Sequence, residues 1–323
     1  MTRPGTTSVE RLAEEYRALR EAAAVVDLTG WTVLQLAGSE TREFLQGTAT
    51  QDFGTPAGPA KRTLFLTEKG RPVSHAWVAF GPAVAATPPA APASPAAEPI
   101  TAWILSDAGA RSVLRPHLER YRIMEDVDFR GPEEMPRLYG VVGPERDPLA
   151  EAIASKSEGA IAIRGEPLSF VLIPDRGPSS APPPSVDPRA FEAWRVHTGF
   201  PFQGIDFDLD RIATELVLPE AISMSKGCYV GQEVVARTAH RGKLRRQRVG
   251  FRFPWGGGPL PKGTQLRSGG LEVGHVTSTA LEPGSNEGLG MGYITPDALT
   301  ANLDVLAVQG EKTTLLSLHS WPL

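Results

Sequence analysis

The sequence predicts an α+β protein, with a large mixed region over residues 1–243 and a C-terminal β-barrel over residues 244–323. Helix-spaced and strand-like segments mix through the first region. After Lys243 the pattern becomes all-β: VGFRF, TQLRS, EVGHVTSTA, GLGMGYI and TTLLSL alternate and are punctuated by Gly-Gly and Pro-Gly. That spacing fits a small barrel of about 75 to 80 residues. A length of 323 residues exceeds one ordinary small core and suits two or three lobes.

Thr7-Ser8-Val9-Glu10 reads as a capping box. Leu12, Tyr16, Leu19 and Ala23 follow at helical spacing and predict a helix ending near Val26. A strand is expected over residues 31–36, closed by Ala37-Gly38, and then a short helix capped by Ser39 and carrying Phe44 and Leu45. Strands at 63–66 and 73–80 flank a hairpin turn at Lys69-Gly70. Residues 81–99 are Ala/Pro low-complexity sequence. Pro denies a ladder its donors and Ala offers little to bury, so a mobile insertion is expected there. Strand-like sequence resumes at 100–105. A helix is expected over 107–121, strands at 127–129 and 138–142, a short helix over 148–155, and strands at 161–163 and 170–173. Residues 174–188 form a second Pro/Ser-rich loop, also expected to be mobile. A helix over 191–198 then puts Trp194 on its inner face. Trp31, Trp77, Trp103 and Trp194 read as core residues.

Composition excludes several classes of function. The net charge of −4 gives no global basic field for nucleic acid or membrane, so any basic site is local. One cysteine rules out an intramolecular disulfide and a self-contained Cys-rich metal site. The polar N-terminus has no apolar h-region, and no stretch approaches ~18 unbroken apolar residues. Neither a signal peptide nor a membrane span is expected, and the expected location is cytoplasmic.

Residues 225–252, SKGCYVGQEVVARTAHRGKLRRQRVGFR, carry the candidate chemistry. A lone cysteine is most often a buried structural thiol. Here Gly227 and Gly231 flank Cys228 at a spacing that suits a tight exposed turn, Lys226 precedes it, and Gln232-Glu233 open what looks like a helix running to Arg237. A thiol near a helix N-terminus and near cations has its thiolate favoured, so Cys228 reads as a reactive or a metal-ligating sulfur. Downstream, Arg237, Arg241, Lys243, Arg245, Arg246, Arg248 and Arg252 occur with no Asp or Glu among them. Two readings stand side by side. One is a solvated edge with strand alternation; the other is an anion site for a phosphate, a polyglutamate tail or RNA. His240 is a further base candidate, although a loop histidine usually has no special role.

The string K-G-C-Y-V-G-Q-E at 226–233 resembles the signature of the YgfZ family, folate-binding relatives of the glycine-cleavage T-protein. The resemblance extends to Val26-Asp27-Leu28, Phe44-Leu45-Gln46-Gly47, Lys69-Gly70-Arg71, Tyr121-Arg122-Ile123, Gly199-Phe200-Pro201, Leu218-Pro219-Glu220 and Val235-Ala236-Arg237. It covers nearly the whole chain apart from the two Pro-rich loops. It implies a GcvT-like three-lobed ring of two interleaved α/β lobes plus the C-terminal barrel. Tetrahydrofolate or a folate derivative is expected in a central channel, and the implied role is assembly or repair of iron–sulfur enzymes, including those that modify tRNA. Expected partners are folate, iron–sulfur client enzymes or assembly proteins, and tRNA, with no membrane.

The resemblance also implies roles for residues. Cys228 acts either as one ligand of a transient, shared iron–sulfur cluster or in a mixed disulfide, because one cysteine cannot hold a cluster alone. Lys226 and Arg237 hold the loop and tune the thiol, Gly227 and Gly231 shape the turn, and Gln232 and Glu233 pin the helix start. Tyr229 packs or stacks near the folate, and Arg195, His197 and Gln51 stand at folate-reading positions. The sequence departs from the T-protein at three places. Its Asp-Asp pair is Ser74-His75 here, so general acid/base work falls to His75. Its Arg-x-Glu is Arg195-Val196-His197, and an imidazole cannot reproduce a carboxylate's paired hydrogen bonds to a pterin. Its Asn-Asp is Gln51-Asp52. These departures argue against the competing reading, a tetrahydrofolate-dependent aminomethyl or one-carbon transferase. A tRNA-binding partner of tRNA-modifying enzymes, using the run from Arg237 to Arg252, is a third reading. A structural relative with its chemistry lost is the fourth.

Overall fold

The computed structural model describes residues 7–54, 58–81, 100–131, 135–174, 182–241, 244–300 and 304–323. The loops expected at 81–99 and 174–188 lie outside the described residues, apart from 81, 174 and 182–188. Helix α1 (Ser8–Glu21) starts on Thr7, whose hydroxyl accepts from the Glu10 N–H while the Glu10 carboxylate accepts from the Thr7 N–H. It stops at Glu21 rather than near Val26. The β-branched Val25 and Val26 enter strand β1 (Ala24–Asp27), paired antiparallel with residues 139–142.

Strand β2 (Thr32–Gly38) leads into helix α2 (Thr41–Thr48), whose N-cap position is Glu40 rather than Ser39 and makes no side-chain capping bond. Strands β3 (Lys61–Leu66) and β4 (Pro72–Phe80) form the expected hairpin, and β5 (Ile100–Ser106) follows. The single helix expected over 107–121 is broken. A 3-10 turn at Ala108–Ala110 precedes helix α3 (Leu114–Glu119). A continuous helix would hold Pro116 in its interior, where the ring clashes and a donor is missing; in α3 it lies in the first turn.

Next come β6 (Asp128–Arg130), β7 (Arg137–Val142), α4 (Arg146–Ala154), β8 (Ile161–Ile163), β9 (Leu168–Ile173) and α5 (Pro188–Thr198). Helix α6 (Gln232–Arg241) precedes β10 (Gln247–Pro254), β11 (Gln265–Ser268), β12 (Leu271–Leu281) and β13 (Glu287–Ile294). Helix α7 (Pro296–Thr300), β14 (Val305–Gln309) and β15 (Lys312–His319) complete the chain.

Three sheets result. One has the order β1-β7-β9-β8, a second β3-β4-β5-β2-β6, and the third is a closed barrel, β10-β13-β12-β11-β14-β15. The chain begins the first sheet with β1, leaves to build the second, and returns with β7 to β9, so the first two lobes are interleaved. All three lobes meet on one apolar cluster, which takes Tyr16 and Leu19 from α1, Trp77 and Trp103 from the second sheet, Phe170 from the first, Trp194 from α5, and Leu289 and Met291 from the barrel. A fully buried large apolar side chain contributes about 1.5–3 kcal/mol, so this shared core fixes the lobes against one another. The segment after α5 returns to the second lobe, where Phe207, Leu216, Leu218, Tyr229 and Val235 bury Leu64 and Leu66 of the β3–β4 hairpin.

Candidate functional site

The segment carrying Cys228 lies across the end of α2. The Ser223 N–H donates to the Thr50 carbonyl at 2.9 Å and the Val230 N–H to the Gly47 carbonyl at 3.1 Å. Between them Lys226 turns inward and is buried. Its ammonium donates to the carbonyls of Gln46, Ala49 and Gln51, each at 2.7 Å. Gln46 is in the last turn of α2 and Ala49 caps it, so Lys226 satisfies carbonyls that a helix end leaves without donors. Burial pulls the Lys226 pKa down to about 8, with Asp52 opposing. The ammonium also lies 5.3 Å from the Tyr229 ring centroid. Tyr229 is buried against Leu64 and Leu66. Cys228, between these two anchored residues, is exposed.

Gly231 explains part of the signature. Its φ is +82°, and a Cβ there would lie 2.6 Å from the Thr67 carbonyl oxygen and 3.2 Å from Gly70 Cα. Gly70, at the tip of the β3–β4 hairpin, has φ +67° and would meet Val234 at 2.8 Å. The Lys69-Gly70 turn and the Cys228 segment, far apart in sequence, therefore interlock through two glycines. At Gly227 an added Cβ would meet nothing within 4 Å. Gln232 and Glu233 open α6, where the Gln232 N–H donates to the Tyr229 carbonyl at 3.2 Å. Glu233 and Arg237 are exposed on that helix.

Two of the residues at the expected folate-reading positions, Arg195 and His197, are closed. Arg195 is fully buried. Its guanidinium donates to Glu192 from Nε and Nη2, to the Phe200 carbonyl and Asp206 from Nη1, and to the Ser278 hydroxyl from Nη2. All its donors are engaged, so none remains for a pterin. Asp206 in turn accepts from the Phe202 N–H, Thr277 and Ser278. His197 is buried, edge-on to Tyr16 at 6.2 Å, and burial holds its pKa down to about 4. It is a neutral core imidazole whose Nδ1 has no hydrogen-bond partner.

His75, the expected general base, is also sealed. It is buried, and its Nε2 accepts from Arg62 Nε at 3.2 Å. It bonds the Pro201 backbone, and burial together with Arg62 and Arg248 holds its pKa well below the usual range. With both ring nitrogens committed it cannot exchange a proton with a substrate. Phe200 stacks on Trp77 beside it, at 5.3 Å and 11°. The centre of the molecule is thus packed with the chain's own rings.

The open space lies next to that core. A cleft of about 670 Å³ is walled by Gln51, Lys61, Arg62, Arg146, Arg164 and Glu220, with Asp147 and Glu166 also on its lining. Arg62 joins cleft to core: its Nε reaches His75, its Nη1 pairs with Glu220, and its guanidinium lies 5.5 Å from the Trp77 ring centroid. Gln51 donates to the Glu220 backbone carbonyl at 2.8 Å. The lining matches a folate in the kind of group it offers, carboxylates for the ring's donors and cations for an anionic tail, although in this structure Lys61 donates to the Asp52 carbonyl and Arg62, Arg146 and Arg164 pair with Glu220, Glu166 and Glu151. Of the four expected folate contacts only Gln51 lines this cleft; Arg195, His197 and Tyr229 do not. Sequence reasoning missed Arg62, which occupies an ordinary position of an alternating strand. Glu220 had a signal, because it closes the Leu218-Pro219-Glu220 step.

The basic run does not form one surface. Arg248 is buried, donating to the Leu216 and Gly199 carbonyls and lying 4.3 Å from the Trp321 ring centroid. Arg252 pairs with Glu282 and Glu287. Arg246 reaches His275. Lys243 and the side chains of His240 and Arg241 lie outside the described residues. Among the described residues neither a continuous solvated edge nor a continuous anion track survives.

No family model matches the chain. It is similar to the iron–sulfur cluster assembly factor IBA57, mitochondrial, of Homo sapiens, at 25% identity over 329 residues, spanning 93% of this chain and 85% of that one. A stretch of 119 residues is 29% identical to an aminomethyltransferase of Halothermothrix orenii, covering 37% of this chain and 33% of that protein. Among solved structures, the glycine cleavage system aminomethyltransferase T from Bartonella henselae superposes with a TM-score of 0.75 at 18% identity, covering 96% of this chain and 89% of that chain. The chain therefore has the aminomethyltransferase T fold, with the α+β lobes and closed barrel that the sequence predicted. Among the described residues no helix is long and apolar enough to cross a membrane.

Proposed function

We propose that this protein is a folate-binding accessory factor in the assembly or repair of iron–sulfur enzymes, of the YgfZ kind, acting through Cys228. The observation that carries the reading is an exposed thiol on a loop fastened behind it by Lys226. Among the described residues no group of three or more His, Cys, Asp or Glu could hold a metal. Cys228 would therefore act with a partner, as one thiolate ligand of a cluster in transit or as one sulfur of a mixed disulfide. The similarity to IBA57 over most of both chains supports the same direction.

Gln51, Arg62 and Glu220 would hold the folate in the cleft, with Lys61 and Arg146 toward its carboxylates. Bound folate supplies a one-carbon-carrying pterin. Ser74 and His75 offer no free base beside it, which disfavours the transferase reading. The divided basic run likewise disfavours tRNA as a direct ligand. A cytoplasmic site of action and a working boundary between residues 243 and 244 belong to the same proposal.

Complementation tests it. The gene is deleted in its host, a [4Fe–4S] enzyme is assayed with and without oxidative stress, and either the parent or Cys228→Ser is restored. Rescue by the parent alone is the expected result. Equal rescue by both would sink the role of the thiol.

A further inference from the structure

We propose that Arg211, Arg246 and His275 form a binding site for the phosphate group of a small molecule, on the barrel face that packs against the segment before α6. The site is separate from both Cys228 and the cleft.

His275 lies on β12 directly opposite Tyr293 of β13, and the two rings stack at 5.9 Å and 29°. Arg211 Nη2 is 3.2 Å from His275 Nε2, and Arg246 Nη1 is 2.9 Å from His275 Nδ1. A neutral imidazole has one N–H and one lone pair, so it can accept from only one guanidinium. The other contact sets donor against donor. Lys262 adds a third cation to the field at His275, and together with burial these cations pull its pKa down to about 4.

The local carboxylates, Asp206, Asp208, Asp210 and Glu215, face Arg211, Lys262 and Tyr293 rather than Arg246. Asp210 pairs with Arg211 at 3.1 Å, and partial desolvation together with its hydrogen bond to Asp208 raises its pKa to about 6. Asp208 is the other acid near Lys262. Arg246 has no carboxylate partner among the described residues. The Tyr293 hydroxyl is buried with no hydrogen-bond partner, and the Arg211 guanidinium lies 4.2 Å from the Tyr293 ring centroid. Two guanidiniums set against one imidazole, one of them with no carboxylate partner among the described residues, are what an oxyanion relieves. It would accept from both guanidiniums and favour a protonated His275 that donates as well.

The source of the phosphate follows from what surrounds the site. An RNA backbone needs a track of cations, but Arg248 and Arg252 are committed to carbonyls and carboxylates. A compact phosphorylated molecule needs only this one cluster.

The experiment is imidazole NMR of His275 in the full chain, titrated with inorganic phosphate at low ionic strength. A saturable shift of the His275 signals is expected, with its protonation midpoint moving up by about one pH unit. Arg246→Gln is expected to weaken the phosphate effect about tenfold, Arg246→Lys to restore part of it, and the exposed control Arg245→Gln to leave it unchanged. The thermal midpoint of each variant reports that it is folded. No saturable shift up to about 50 mM phosphate, far above the affinity of a site with charge-assisted bonds, would overturn the proposal. So would equal phosphate binding by Arg246→Gln. A single-stranded RNA that moves His275 more strongly than phosphate, per phosphate group, would replace the small molecule with a nucleic acid. None of these outcomes depends on whether Cys228 serves iron–sulfur enzymes.

Discussion

The Cys228 loop and the Arg195 core use the same kinds of groups in opposite ways. At Arg195 the polar partners surround the charged group, so Glu192, Asp206, Ser278 and a carbonyl take every donor and the side chain is sealed. At Cys228 the polar partners sit behind the chemical group. Lys226 takes the carbonyls, Tyr229 takes the apolar surface, and the thiol between them stays outside. The difference teaches how to read a charged residue in a suggestive motif. What matters is whether its hydrogen-bonding capacity is directed at the protein or left over for something else.

The largest test is on the sealed side. Asp206→Ala should cost about 3–5 kcal/mol in urea unfolding, because it leaves the buried Arg195 guanidinium only the part-exposed Glu192 as counter-charge. A cost below about 1 kcal/mol would mean that the core is not held by that pair. Lys226→Met should cost about 2–3 kcal/mol, since three carbonyls lose a charged donor. It should also speed hydrogen exchange at the end of α2. Unchanged exchange would separate the loop from the helix. Gly231→Ala should cost about 1–3 kcal/mol through its left-handed backbone and its contact with Thr67. Gly227→Ala should stay within about 0.5 kcal/mol.

Acid should act on the two histidines whose pKa values are held low, His197 in the core and the half-buried His275. His197 and His275 titrate near about 4 in the folded chain, against 6.5 for the free group. Between these values the unfolded chain binds more protons, so their contribution is whole above pH 6.5 and is lost as pH falls through about 4. Asp107, raised to about 6, works in the opposite sense over part of that window. Urea midpoints measured from pH 7 down to about 4, with His197→Gln flattening the fall, check the sign. The smallest stability change is expected at Cys228→Ser, within about 0.5 kcal/mol. Loss of complementation without loss of stability would draw the contrast most sharply.

Much of the fold was legible. The barrel showed itself through alternation and turns, and the missed strand β14 is short, with only Val305 and Ala307 buried. The end of α1 was misread because Ala23, Val25 and Val26 continue a helical period, while pairing with β7 decides the outcome. The Cys228 motif was visible as residue types and spacing. Its clamp was not, because the acceptors for Lys226 are backbone carbonyls, which carry no letter in a sequence. Arg195, His197 and His75 carried suggestive letters too. Their burial depends on Asp206, Phe200 and Arg62, brought together only by the fold.

The interleaving of the first two lobes has a consequence for how the chain is made. Strand β1 leaves the ribosome early, but its partners at 139–142 emerge only after the whole five-stranded sheet. Domains fold as units during synthesis, and long-range pairings close slowly. The inserted lobe can therefore complete its hairpin and sheet while β1 waits as an unpaired edge with two valines. That interval is when this protein is most exposed to chaperones and to misassembly. A slowing of translation once residue 142 has emerged from the ribosome would lengthen the opportunity for β1 to find β7 before the barrel arrives.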